Sequence, residues 1–153
     1  MKTPLRIWIT GASSGIGRAC ALALAGAGHR VWASARSLDQ LESLSRETAN
    51  LQGELIAHPL DVTAPEQVSA CAKAMVETWG GIDVVIPNAG MGLFNPLQEA
   101  PLTEWHTMVE VNISGVLSTI HAALPSLLSN KGHVINIGSL AARQVFPNSG
   151  VYL

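Results

Sequence analysis

Short apolar runs alternate with longer stretches of helical period along the chain. Residues 5–10 (LRIWIT) form a strand pattern that ends at Gly11. Beyond it, Ile16, Ala19, Cys20, Ala23, Leu24 and Ala27 recur at three- and four-residue spacing, the face of a helix that Gly28 should stop. Residues 31–35 (VWASA) are a second strand. Ser37 and Gln40 form a candidate capping box for a helix carrying Leu38, Leu41, Leu44 and Leu51. Residues 55–60 (LIAHPL) are a third strand, which Pro59 assigns to a sheet edge because proline cannot donate to a ladder. Thr63 and Glu66 repeat the capping pattern, with Pro65 in the first turn. The helix they open carries Val68, Ala72, Met75, Val76 and Trp79 and stops at Gly80-Gly81. Residues 82–86 (IDVVI) are a fourth strand, a long helix runs from about 103 to 124, and residues 133–137 (HVINI) are a fifth strand.

Five strands, each separated by a helix-length segment, predict an α/β fold: a doubly wound parallel sheet with helices on both faces. Right-handed crossovers give the strand order 3-2-1-4-5, and ligands then sit at the carboxyl ends of the strands, beside the switch point between strands 1 and 4. Composition supports this. Only 13 % of residues are charged, against ~25 % for typical domains. Parallel strands buried on both faces have that character, because they read as continuous apolar runs. A hydrophobic content of 48 % excludes disorder, and 153 residues suit a single domain.

A net charge of −2, with nine basic residues scattered singly, favours neither nucleic acid nor an anionic membrane surface. Cys20 and Cys71 are too few for a disulfide scaffold. His29, His58, His106, His121 and His133 form no metal-ligand spacing. The sequence shows no signal peptide and none of the ~20-residue apolar runs that a membrane span needs, so the expectation is a cytoplasmic protein.

The turn after strand 1 reads Thr10-Gly11-Ala12-Ser13-Ser14-Gly15-Ile16-Gly17. Three glycines between a strand and a helix allow a sharp turn, close approach of a phosphate, and tight packing of helix on sheet. The amides at the helix start favour a pyrophosphate. After strand 2 the chain has Ala35-Arg36 and no carboxylate. A guanidinium there can hold the 2′-phosphate of NADP, and nothing opposes that phosphate, so NADP(H) is expected over NAD(H). The bland alternatives are a tight turn with ordinary serines and a solvated surface arginine.

Thr10 to Gly17 resembles the cofactor motif of the short-chain dehydrogenase/reductase family. So do Asp61-Val62 after strand 3, Asn88-Ala89-Gly90 after strand 4, Asn112 in the long helix, Ser139 after strand 5, and Tyr152 thirteen residues later. Pro87 departs from the family, which usually has another asparagine there. The resemblance covers the whole chain and implies a Rossmann-like NAD(P)-binding domain over residues 1–153. By the same resemblance, Gly11, Ser13, Ser14, Gly15, Ile16 and Gly17 hold the pyrophosphate, Asp61 and Val62 meet the adenine, and Ala89 and Gly90 flank the ribose. Asn88 supports the central strand. The implied reaction is hydride transfer between nicotinamide and a small carbonyl or alcohol. Tyr152, the chain's sole tyrosine, would be the acid/base, with Ser139 orienting the carbonyl and Asn112 holding a water in the proton relay.

Taken singly, Ser139 could cap a turn, Asn112 could be a polar helix residue and Tyr152 a rim aromatic. Met91, Leu93 and Phe94 could touch substrate or pack on their own helix. The family motif Tyr-x-x-x-Lys would place a lysine three residues beyond Leu153. Without that cation the phenol is poorly matched to proton transfer at neutral pH, so little turnover is expected of the chain as written. The other reading is therefore a non-catalytic nucleotide-binding fragment. A methyltransferase is disfavoured because its ribose would want an acid after strand 2. The family's later strands and helices, including its second dimer helix, are not in the chain, so strand 5 is expected to be an open, association-prone edge.

Overall fold

The computed structural model describes residues 3–144 together with Pro147 and Tyr152. The elements in order are β1 (Arg6–Thr10), α1 (Gly15–Gly26), β2 (Arg30–Ala35), α2 (Leu38–Thr48), β3 (Glu54–Pro59), α3 (Pro65–Trp79), β4 (Val84–Ile86), α4 (Leu102–Val109), a π-helical turn (Glu110–Ser114), α5 (Gly115–Asn130) and β5 (His133–Val134). A 3₁₀ turn, Leu140–Ala142, follows. The strands form one parallel sheet in the order β3-β2-β1-β4-β5, as the alternating pattern predicts.

Period-two alternation within β1 shows why both faces are covered. Ile7 and Ile9 point to one side, into a cluster with Val31, Ala33, Ala21, Ala25, Leu41 and Leu44 beneath α1 and α2. Trp8 points to the other, into a cluster with Trp32, Val68, Cys71, Met75 and Leu127 beneath α3 and α5. The Trp8 indole N–H donates to the Ser34 hydroxyl at 3.0 Å, and Ser34 lies 3.6 Å from the Cys71 sulfur. Burial pushes the Cys71 thiol up, away from reactivity. Trp79 meets Trp32 edge-on, with ring centroids 5.3 Å apart. β3 lies at the sheet edge, where Pro59 sits opposite Ala35.

Several local expectations are corrected. The face of α1 toward the sheet is Gly17, Ala21 and Ala25; Ile16 is exposed. Small residues win because the helix lies close to the sheet. Neither expected capping box forms: Ser37 is the N-cap of α2 without a side-chain bond, and Ala64 is the N-cap of α3. Thr63 instead turns back to Asp61. Leu38 is exposed and Leu51 lies beyond α2.

The long helix starts at Leu102, is interrupted by the π turn, and continues through Pro125 to Asn130. At 29 residues, Leu102–Asn130 is long and apolar enough to cross a membrane by length and composition, contrary to the sequence reading. Its place is against the sheet, with Gly115, Thr119, Ala123 and Leu127 buried. β5 is shorter than expected, although the amides of Ile135 and Ile137 continue the ladder to Val85 and Pro87. Val134, Ile135 and Ile137 are exposed along it.

One ion pair fixes the amino-terminal end of the sheet. The Arg6 guanidinium grips both carboxylate oxygens of Asp83, at 2.6 and 2.8 Å, and the Arg6 amide donates to the same carboxylate at 2.8 Å. This ties β1 to the entrance of β4, and Arg6 also donates to the Trp79 carbonyl at the end of α3. The Arg6 guanidinium holds the Asp83 carboxyl below the usual carboxylate range, with partial burial acting the other way. A carboxyl whose pKa is depressed on folding stabilises above its unfolded value and loses that contribution as pH falls through the folded one. Asp83→Asn should therefore cost about 2 kcal/mol at pH 7 by urea unfolding, and the gap to the parent should close below about pH 4.

Candidate active site

The carboxyl ends of the strands enclose a cleft of about 880 Å³. The β1–α1 turn forms its floor. Gly11 takes φ +66, and an added Cβ would lie 2.7 Å from the Ala89 Cα, so the turn packs directly on the segment after β4. Gly15 takes φ +53 with open space beside it, leaving a bare backbone facing the cleft. At Gly17 a Cβ would run into the Asn88 side chain and the Gly11 carbonyl. The three glycines thus have three different physical reasons.

Asn88 and Thr10 bolt the two turns together. The Asn88 carboxamide donates to the Thr10 and Gly11 carbonyls at 3.0 and 3.1 Å. The buried Thr10 hydroxyl accepts from the amides of Asn88 and Ala89, each at 3.1 Å. Sequence reasoning placed Thr10 in the motif without giving it a role. Its signal was a hydroxyl closing an otherwise apolar strand.

Arg36, Ser37 and Gln40 line the cleft at the end of β2, with Asp61 and Val62 after β3. Asp61 accepts from the Thr63 amide at 3.0 Å and from its hydroxyl at 2.8 Å. The amide bond chiefly holds the carboxyl below its ordinary range, partial burial opposes this, and the Thr63 hydroxyl and nearby Arg36 add to the lowering.

On the β4–β5 side the lining includes Asn88, Ala89, Gly90, Met91, Asn112, Ser139 and Tyr152. Asn112 lies in the π turn, a distortion often found at functional sites. Its carboxamide accepts from the Met91 amide at 2.9 Å and donates to the Met91 carbonyl at 2.8 Å. The side chain is thereby committed to holding the loop after β4. The Ser139 oxygen accepts the Ala141 amide at 3.1 Å, capping the 3₁₀ turn and leaving its O–H able to donate into the cleft. Tyr152 meets Phe94 with ring centroids 5.6 Å apart. Every residue singled out from the sequence for cofactor binding or catalysis lines this cleft except Gly17, which packs behind its floor; of the candidate substrate contacts, Met91 lines it and Leu93 and Phe94 do not. Val111, Val116, Ile137 and Ala142 join the lining as apolar wall that their sequence neighbourhood does not distinguish from core.

Two glycine substitutions should separate packing from conformation. Gly17→Ala is expected to destabilise by about 1–3 kcal/mol through overpacking against Asn88. Gly15→Ala has room for its methyl and should lose only about 1 kcal/mol, from the left-handed backbone alone. Chemical denaturation of both variants checks the ranking.

The arrangement has close counterparts. A family model described as short chain dehydrogenase matches residues 6–153. The chain is 41 % identical over 145 residues to glycine betaine reductase ATRR of Emericella nidulans, covering 94 % of this chain and 11 % of that protein. It is 39 % identical to an uncharacterized oxidoreductase of Staphylococcus aureus strain MRSA252, covering 94 % of this chain and 62 % of the relative. The chain thus spans less than two thirds of the length of these relatives. Among solved structures, an alcohol dehydrogenase from the archaeon Thermococcus sibiricus, complexed with 5-hydroxy-NADP, superposes with a TM-score of 0.91 at 39 % identity, over 97 % of this chain and 64 % of that one. A metagenomic short-chain oxidoreductase in complex with NADP superposes with a TM-score of 0.90 at 33 % identity, over 96 % and 68 %. The chain belongs to the short-chain dehydrogenase family.

Proposed function

We propose that this oxidoreductase uses NADP(H) and interconverts a small carbonyl compound and its alcohol, with Tyr152 as the acid/base. The observation that carries the reading is one cleft with a cation, Arg36, at its β2 end and two hydroxyls, Ser139 and Tyr152, at its β5 side. A dinucleotide fits the residues present. The bare Gly15 backbone admits a pyrophosphate at the start of α1, Arg36 offers a charge-assisted partner for a 2′-phosphate, and the volume lies in the usual range for ligand pockets.

The nicotinamide, when bound, supplies the hydride. The residues of the chain then have separable tasks. Ser139, its oxygen occupied by the Ala141 amide, donates its proton toward the substrate carbonyl and orients it. Tyr152 gives its phenolic proton to the same oxygen as negative charge develops there, and takes it back in the oxidative direction. Asn112 fixes the Met91 backbone, and with it the loop bordering both hydroxyls; its carboxamide keeps one N–H and one oxygen lone pair for a water of the relay.

Tryptophan fluorescence titration tests the cofactor assignment whether or not turnover occurs. NADPH should bind about tenfold or more tighter than NADH, and Arg36→Asp should reverse the order, because a carboxylate repels the 2′-phosphate and accepts ribose hydroxyls. Equal affinities in the parent protein would overturn it.

A further inference from the structure

We propose that Thr63 is a positioning residue that keeps the cleft's own anion off its cation. By holding one oxygen of the Asp61 carboxylate with two hydrogen bonds, it leaves the Arg36 guanidinium open to a 2′-phosphate, a role that rests on the NADP(H) reading above.

Arg36 and Asp61 are the charged residues in the described lining of the cleft, one at the end of β2 and the other after β3. These strands are neighbours in the sheet, so opposite charges stand on adjacent strand ends. Their attraction favours an ion pair, which would occupy the donors that a phosphate needs. The two groups are within electrostatic reach. The Asp61 carboxyl is held below its ordinary range chiefly by the Thr63 amide, against partial burial, and the Thr63 hydroxyl and the Arg36 charge add to the lowering. Yet the ion pairs among the described residues are Arg6–Asp83, Arg18–Glu47, Arg30–Glu54 and Lys73–Glu77, and Arg36 does not close on Asp61.

The segment that opens α3 supplies the reason. The Thr63 amide and hydroxyl both donate to Asp61 Oδ1, at 3.0 and 2.8 Å. The main chain of Asp61 is anchored as well: its amide donates to Gln67 Oε1 at 3.2 Å, and its carbonyl accepts from the Ala64 amide at 3.2 Å. Four bonds to residues 63–67 thus fix both the place and the rotation of the carboxylate. The N-cap of α3 is Ala64, so the Thr63 hydroxyl serves the carboxylate and not the helix. Neither Thr63 nor Gln67 is in the cleft lining, so an effect of either on a ligand passes through Asp61. A carboxylate already satisfied by local donors gains less from turning to a neighbouring cation, and a competing pair is disfavoured.

Dinucleotide titrations test this by ratio, because NADPH and NADH share the adenine and differ in the 2′-phosphate. Thr63→Val keeps the shape and the amide bond and loses the hydroxyl bond. Its preference for NADPH over NADH should shrink about threefold, the size of an exposed ion pair newly competing for Arg36. Thr63→Ser should keep the parent ratio. Asp61→Asn in the Thr63→Val background removes the competing charge and should restore the ratio, whatever it does to both nucleotides together. A merely structural role for Thr63 would weaken the two nucleotides alike and would not be rescued.

The pairing itself is read without nucleotide. The Arg36 Nε–H signal in NMR, assigned by its loss in Arg36→Gln, should shift in Thr63→Val and return in the double variant. An unchanged nucleotide ratio in Thr63→Val, a ratio that stays low after Asp61→Asn, or an Arg36 signal indifferent to Thr63→Val would each overturn the proposal. If the parent protein binds NADPH and NADH equally, the cofactor reading fails, and the Arg36 signal still decides whether Thr63 holds the two charges apart. Thr63 is exposed, so Thr63→Val is expected to fold; Thr63→Ala carries the same measurements if it does not.

Discussion

The bolt between the β1–α1 turn and the segment after β4 is the constraint on which the cleft depends. Two turns from different parts of the chain approach so closely that a single methyl on Gly11 or Gly17 would part them. Close approach of bare backbone brings carbonyls and amides together in a partly buried place, where an unpaired polar group costs about 1–3 kcal/mol. The Asn88 carboxamide and the Thr10 hydroxyl answer four of those backbone groups. Glycine permits the approach and the two polar side chains stabilise it. The bare backbone at Gly15 is left facing the cleft.

The Asn112 carboxamide extends this scheme by fixing the next loop through both backbone groups of Met91. Two asparagines thus hold the cleft's central wall, one at each end of a short segment without regular structure. The outer parts are differently made. The β2–β3 side carries its charges on Arg36 and Asp61, and the β4–β5 side carries neutral hydroxyls among apolar groups. A charged end and a neutral end of the cleft are therefore separated by the width of the sheet. The low overall charge of the chain sharpens that separation, because few other charges blur it.

Much of this was legible in the sequence because the signals are strong where backbone geometry is demanding. Strands buried on both faces produce unbroken runs such as IDVVI, and Pro59 correctly marked an edge. Periodicity misled at α1, since it counts hydrophobic residues and does not weigh size. Gly17, Ala21 and Ala25 face the sheet because they are small, while the larger Ile16 is turned outward. The capping boxes failed for a related reason. Thr63 found a stronger local partner in the Asp61 carboxylate, and a pattern of residue types cannot rank competing hydrogen bonds. The long helix outran its expected end because Pro125 removes one donor from a helix already held against α3 and the sheet.

By itself the sequence determined the α/β class, the order of the strands, the glycine-rich turn and the set of residues that meet at the strand ends. These follow from local rules: period, turn chemistry and the handedness of crossovers. Only the tertiary structure decided which atoms of those residues are committed elsewhere. It showed that Asn112 spends its carboxamide on Met91, that Ser139 both caps a turn and keeps its proton, and that Phe94 stands edge-on to Tyr152. Partners of this kind lie 21 residues apart for Met91 and Asn112 and 58 apart (152 − 94) for Phe94 and Tyr152, and they meet through packing. Residue spacing carries no record of such contacts, because they depend on how whole elements settle against one another.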